Sequence, residues 1–187
     1  TTPWRGLVHL LKIFKKLNLE NVELNICSST IIYGKKFDKV LGKKYEGIFN
    51  ECKNTKNVNY FGFLENKKTI KLLKNMHIFA YPSIWPETSC IAAIEAMAAG
   101  CEMVTTNLGA LYETCSPFAV FVGFDRNFDN LEKKYSKALS ESIKNYWSNE
   151  NQNKLKLQSE IINATYSWDV RLVEWKNFFN EIRKLKT

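Results

Sequence analysis

Residues Tyr81 to Gly100, YPSIWPETSCIAAIEAMAAG, decide how the rest of the chain is read. The stretch begins at the end of an apolar run, Ile78-Phe79-Ala80-Tyr81. It turns over Pro82 and Pro86 and enters an Ala-rich segment closed by Gly100. That order predicts strand, loop and helix, with Thr88 or Ser89 as N-cap and Gly100 as the C′ stop. Two carboxylates mark it: Glu87 on the helix-entry loop, and Glu95 among Ile91, Ala92, Ala93, Ile94, Ala96, Met97 and Ala98.

Working outward, the same alternation of short apolar strands and amphipathic helices recurs. Leu7, Val8, Leu10, Leu11, Phe14 and Leu17 stand at helical spacing from Pro3 to Asn18, with Lys12, Lys15 and Lys16 opposite. Val22–Cys27 alternates with period two and predicts a strand. A partly regular helix is expected within Asp38–Cys52, a strand at Val58–Phe61 and a helix at Glu65–Asn75. After Gly100 come strands at Glu102–Thr106 and Phe118–Val122, separated by a turn at Asn107–Ala110 and one helical turn. Beyond about residue 130 only helical patterns follow: to about Trp147, from about Gln152 to Ala164, and from Trp168 to Lys184. Strands alternating with helices predict βαβ units and a parallel sheet. The expected fold class is α/β, a Rossmann-like three-layer parallel sheet with C-terminal helices. Residues 1–130 form the sheet domain and residues 131–187 a helical segment packing on it.

The chain opens on a helix, whereas a doubly wound sheet opens on a central strand. The expectation is a fragment cut at the loop after that strand. The alternative is a sheet that closes without it and leaves two neighbouring strands unpaired.

The totals exclude several classes. The 187 residues have a net charge of +8, carried mostly by lysine. Arginine is scarce and no basic run is interleaved with stacking aromatics, so nucleic acid is not expected as a partner. The lysines read first as solvated helix faces, and second as a peripheral contact with anionic headgroups or ligands. No uninterrupted apolar run spans a bilayer. Five scattered cysteines, two histidines and no CxxC spacing argue against a disulfide scaffold and a zinc site. A reducing, cytoplasmic setting is the simplest expectation, in places at the cytoplasmic face of a membrane. No G-x-G-x-x-G follows any strand, which argues against a dinucleotide-dependent oxidoreductase.

In an open α/β sheet, ligands bind outside the carboxyl ends of the strands. The Pro82–Ser89 loop falls there. The helix behind it presents free amides from about Thr88 to Ile91, and its dipole favours an anion. Thr88, Ser89 and Cys90 are small enough for a phosphate to approach. Glu95 lies roughly 10 Å further along the axis. Carboxylates repel phosphate but accept hydrogen bonds from hydroxyls. Carboxylate, amide nest, carboxylate suits a ligand with hydroxyls at both ends and phosphates between, such as a nucleoside diphosphate sugar. On the pattern alone the plainer alternative stands: Glu87 as a helix-dipole residue and Glu95 as the partner of a neighbouring lysine.

Glu87 and Glu95 with seven residues between, then Ala96-Met97-Ala98-Ala99-Gly100, all after Pro82-Ser83, resemble the C-terminal, donor-binding domain of the group 1 retaining glycosyl transferases. Those enzymes have the two-domain GT-B fold. Val58–Leu64, Met76–Ser83 (with His77 where Asp is usual), Gly109–Glu113 and Tyr166–Trp168 resemble further segments of the family in the same order. The resemblance implies a domain that binds a nucleotide diphosphate sugar and transfers the sugar with retention. It implies that Glu87 contacts the sugar near the reacting carbon, as the catalytic position, and that Glu95 binds the ribose. The Thr88, Ser89 and Cys90 amides would hold the diphosphate, Arg5 before Gly6 would neutralise it, and Leu64 would border the nucleobase. It implies no cofactor and no metal, and an acceptor glycan, lipid or protein bound by an absent N-terminal domain, so that this fragment alone is inactive. Where the family often has Phe-Gly, this chain has Ser89-Cys90. The alternative within the same fold is a non-catalytic nucleotide-sugar-binding or partner-subunit module.

Overall fold

The structure, a computed structural model, describes residues 2–185. The chain forms two parallel sheets with helices around them. After a 3-10 turn at Pro3–Arg5, α1 (Leu7–Leu17), β1 (Leu24–Ile26), α2 (Lys35–Asn54) and β2 (Val58–Tyr60) make the first half. β1 and β2 pair in parallel, Leu24 opposite Val58 and Ile26 opposite Tyr60. Next come α3 (Asn66–Leu73), β3 (Ile78–Tyr81), α4 (Ile91–Ala98), β4 (Glu102–Thr106), α5 (Leu111–Cys115) and β5 (Val120–Val122). These three strands form the second sheet in the order β3-β4-β5, with Tyr81 opposite Thr105 and Thr106 opposite Val122. All pairings are parallel, as the βαβ pattern predicts.

β4 is the centre of the molecule. All five of its residues are buried, and they alternate between layers as period two demands. Met103 joins Tyr81, Ala93, Met97, Leu111 and Ile162 on one face. Val104 joins Ile13, Val122, Leu131, Tyr135 and Leu139 on the other. The second sheet is therefore sandwiched between α4, α5 and the tail helix α7 (Asn149–Tyr166) on one side, and α1 and α6 (Phe128–Asn145) on the other.

α7 also completes α4. A helix ends with unsatisfied carbonyls, and here Gln158 donates to Met97 O (3.2 Å) and Cys101 O (2.8 Å), while Ser159 donates to Ala98 O (2.7 Å). Gly100, at φ +89°, supplies the turn out of the helix. α8 (Trp168–Lys184) behaves differently from the other tail helices. It leans on α7 and buries no residue, leaving Trp175, Phe178 and Phe179 each 53% exposed.

Several boundaries differ from expectation: β2, β5 and α3 are shorter and α7 longer, and α2, β1 and the start of α4 differ as follows. α2 runs Lys35–Asn54, longer than Asp38–Cys52 and unbroken at Gly42 and Gly47, with Ile48, Phe49 and Cys52 packed inward. β1 is shorter than Val22–Cys27. The N-cap of α4 is Cys90, not Thr88 or Ser89. Cys90 is 3% exposed and its thiol joins the core, so it fills space where a Ser or Thr hydroxyl would cap.

Candidate active site

The carboxyl ends of both sheets converge on residues 3–6. Trp4 stacks on Tyr33 (5.8 Å between ring centroids) and lies against Phe37 and Tyr45, fixing the Pro3–Arg5 turn to the first half. Gly6 fixes it to the second half. At φ +122°, a Cβ there would stand 2.2 Å from Pro82 O, so only glycine permits the approach. Arg5 is thereby set beside the β3 exit.

That exit is held rigidly. Thr105 Oγ1 donates to Tyr81 O (3.0 Å) and Thr106 Oγ1 to Ser83 O (2.8 Å), which gives the polar end of Glu102-Met-Val-Thr-Thr its purpose. Glu87 is clamped from the other side. It bridges to Gly109, its carbonyl accepts from Ala110 N at 2.7 Å, and a Cβ on Gly109 would fall 2.5 Å from Glu87 O. The Gly109-Ala110 segment picked out in the sequence thus acts through backbone.

The clamped carboxylate is buried and fully occupied. Arg5 Nη1 donates to both Glu87 oxygens (2.8 and 2.9 Å), and Tyr81 Oη donates to Oε1 (2.6 Å). The side chains differ in exposure: 4% for Glu87 but 26% for Arg5. Burial lowers the Arg5 pKa, but the Tyr81 hydrogen bond and the Tyr81 and Glu87 charges outweigh it, and the net shift is upward. Burial first, then the bond to Glu87, lifts the Tyr81 hydroxyl well above the usual phenol range, so it remains a donor. Arg5 Nε is buried and unpaired, as are the hydroxyls of Thr2 and of Ser28 beyond β1. Buried polar groups ordinarily find partners, and Arg5 Nε, on the guanidinium that meets Glu87, is one that a polar ligand would supply.

Beyond Glu87, Thr88 and Ser89 are exposed and lead to Cys90. The first α4 amides to reach a carbonyl among the described residues are Ala93 (3.0 Å) and Ile94 (3.1 Å), both to Cys90 O, and no side chain caps the helix. One turn on, Glu95 is half-buried and accepts from Asn66 Nδ2 at 3.3 Å. Asn66 opens α3 two residues after half-buried Leu64, so the Phe61–Leu64 loop adjoins Glu95. Arg5 and Glu87 therefore meet directly. Thr88, Ser89 and Cys90 connect them to Glu95, and Leu64 stands two residues before Asn66, the partner of Glu95.

Sequence reasoning missed Tyr81 as a polar partner of Glu87. The signal was a tyrosine ending an apolar strand, where its hydroxyl must find a polar neighbour. The remaining buried carboxylate, Glu102 at the start of β4, pairs with Lys154 (3.4 Å) and Asn151 (3.3 Å) and is structural. A cleft of about 450 Å³ opens elsewhere, among Phe14, Lys15, Asn18, Glu51 and Thr55. Lys15 and Glu51 pair there at 2.9 Å. Among the described residues no three His, Cys, Asp or Glu side chains could hold a metal ion.

The chain belongs to the glycosyl transferases group 1 family, whose model matches residues 1–165. Its fold is similar to that of a glycosyltransferase from Rickettsia africae (TM-score 0.70, 19% identity), covering 97% of this chain and 45% of that one. It is similar too to a sucrose-phosphate synthase from Thermosynechococcus elongatus (TM-score 0.75, 16% identity, 97% and 43%). A third similar structure is Anabaena HepE in complex with UDP (TM-score 0.68, 14% identity, 96% and 46%). These identities show the fold, Rossmann-like as in GT-B enzymes. The chain spans less than half the length of each. A search of curated proteins finds no match.

Proposed function

We propose that this chain is the donor-binding half of a retaining glycosyltransferase that takes a nucleotide diphosphate sugar. The observation that carries this is the meeting of Arg5 and Glu87 at the entry to α4, with Glu95 on the same helix beside the Leu64 loop. Arg5 and the first α4 amides serve the diphosphate: a guanidinium matches phosphate bidentately, and free helix amides favour an anion. Stabilising the departing diphosphate is how such groups lower a barrier. Glu95 serves ribose hydroxyls, and Glu87 the sugar. On this reading no metal is required, and chelation with EDTA leaves donor affinity unchanged.

The split between β1-β2 and β3-β4-β5 supports a further strand lying between β1 and β3 in the whole protein. On the same reading the acceptor site and other catalytic groups lie outside these 187 residues, so the isolated chain binds donor and transfers little. The alternative module reading is separated by the intact protein: Glu87→Ala and Glu95→Ala each abolish transfer if this domain is catalytic. No described helix is long and apolar enough to cross a membrane. A cytoplasmic-face setting would bring exposed Lys35, Lys36 and Lys39 towards anionic headgroups, which vesicle pelleting checks.

Calorimetric titration with UDP and GDP tests the site. One of them binds, and Arg5→Ala or Glu95→Gln weakens it about 10- to 100-fold, the worth of a hydrogen bond to a charged group. Binding that ignores both substitutions overturns the assignment.

A further inference from the structure

The two groups assigned to different parts of the donor are bonded to each other in this structure. Arg5, the diphosphate cation, has Nη1 on both oxygens of Glu87, the sugar carboxylate (2.8 and 2.9 Å). A diphosphate cannot take that nitrogen without drawing it off Glu87. Removing an arginine from a carboxylate with 4% exposure would ordinarily leave an uncompensated buried charge. Here a second donor is already in place. Tyr81 Oη lies 2.6 Å from Glu87 Oε1, on a residue 5% exposed whose carbonyl is pinned by Thr105.

The partners are therefore unequal. Arg5 stands on a short turn, is partly open to solvent, and has an unpaired buried Nε that gains when the guanidinium turns to a ligand. Tyr81 sits at the end of a paired strand inside the core and has nowhere to go.

We propose that Tyr81 is a positioning residue for the donor sugar: it keeps Glu87 in place when a diphosphate exchanges Arg5 away from the carboxylate. Binding of the nucleotide part thus frees one side of Glu87 for sugar hydroxyls, and the sugar is read only after the diphosphate is seated. This rests on the donor-site reading above and adds to it an order of engagement and a residue.

The consequences separate by ligand. Breaking the Arg5–Glu87 pair opposes nucleotide binding, so Glu87→Gln binds UDP or GDP several-fold more tightly than the native chain. The sugar increment is the affinity for a nucleotide sugar divided by that for its bare nucleotide. It depends on Glu87 being held, and so on Tyr81.

The experiment titrates the native chain, Tyr81→Phe, Glu87→Gln and the double variant. The probes are UDP, UDP-glucose, UDP-N-acetylglucosamine, GDP and GDP-mannose. The native chain shows an increment for at least one pair. Tyr81→Phe lowers it at least five-fold with bare-nucleotide affinity unchanged within two-fold, and the double variant is no worse than Glu87→Gln. A purely structural Tyr81 would instead weaken nucleotide and nucleotide sugar alike, and its effect would persist in the Glu87→Gln background. Either result overturns the proposal, as does a native chain with no increment. An increment lost in Glu87→Gln but intact in Tyr81→Phe overturns the positioning role alone and leaves the donor site standing. A native chain that binds none of the nucleotides overturns both. Should Tyr81→Phe fail to fold, Glu87→Gln alone decides: UDP and GDP affinities equal to or below native refute the exchange.

Discussion

Gly109→Ala tests how the site is built, because its cost can be worked out from geometry. Gly109 adopts φ +61°. An L-residue in the left-handed region costs roughly 1–2 kcal/mol. The added methyl would also stand 2.5 Å from Glu87 O, 2.6 Å from Glu87 N and 2.9 Å from Pro86 C, all backbone. Backbone cannot rotate aside as a side chain does, and overpacking costs about 1–3 kcal/mol. The sum is about 2–5 kcal/mol, a large share of the 5–15 typical of a domain. For a chain of this size each kcal/mol moves Tm by about 2–4 °C, so the midpoint falls about 5–20 °C. Gly47→Ala is the control: it lies within α2 with nothing within 4 Å of its added methyl, and it stabilises by about 0.5–1 kcal/mol. Thermal melts of both variants, with UDP-glucose and GDP-mannose titration at a temperature where each is folded, read the result. If the chain relieves the clash by moving the Pro86-Glu87 segment, sugar-nucleotide affinity falls along with Tm. A Gly109→Ala protein with native Tm and native donor affinity would refute the claim that Glu87 is clamped between Gly109 and β3.

Other expectations follow from burial. Met103→Ala, at 0% exposure beneath α4, costs about 2–5 kcal/mol, whereas Trp175→Ser on α8 changes stability by less than about 0.5 kcal/mol; urea midpoints compare them, and a large loss for Trp175 would show that α8 is packed in solution. Burial pushes the Cys52 and Cys101 thiols up to about 11 and Cys115 up to about 12, from 9.0. Groups whose folded pKa is raised stabilise fully below their unfolded pKa and lose that contribution as pH climbs through the folded value. The urea midpoint is therefore flat from pH 7 to about 8.5 and falls between about pH 9 and 12. A midpoint still flat at pH 11 would contradict the burial of these thiols.

Much of this was legible in the chain because strand and helix periods are strong where one face is buried. Ile78–Tyr81 matched its expected strand, and Glu102–Thr106 did so because every residue of it is interior. α2 was under-read because glycines and lysines dilute its pattern, although Phe49 and Cys52 pack with residues of β1 and β2. The N-cap was misplaced because a cap is recognised by side-chain chemistry, while here Cys90 is chosen for volume. The division into two sheets follows from which strands find hydrogen-bonding neighbours, which no local pattern records. Among the candidate site residues, Glu87 and Glu95 were singled out by charge and spacing, and Arg5 and Leu64 only by the family resemblance. That Arg5 and Glu87, 82 residues apart, bond each other depended on Gly6 touching Pro82, a contact between backbones.

The direct test is a crystal structure of the chain soaked with UDP or GDP. The account predicts the diphosphate at the Thr88–Cys90 amides with Arg5 Nη1 turned onto it. The ribose lies on Glu95 and the base beside Leu64, while Glu87 still accepts from Tyr81. Nucleotide bound away from Glu87, Ser89 and Glu95, or seated there with Arg5 unmoved from Glu87, would contradict it.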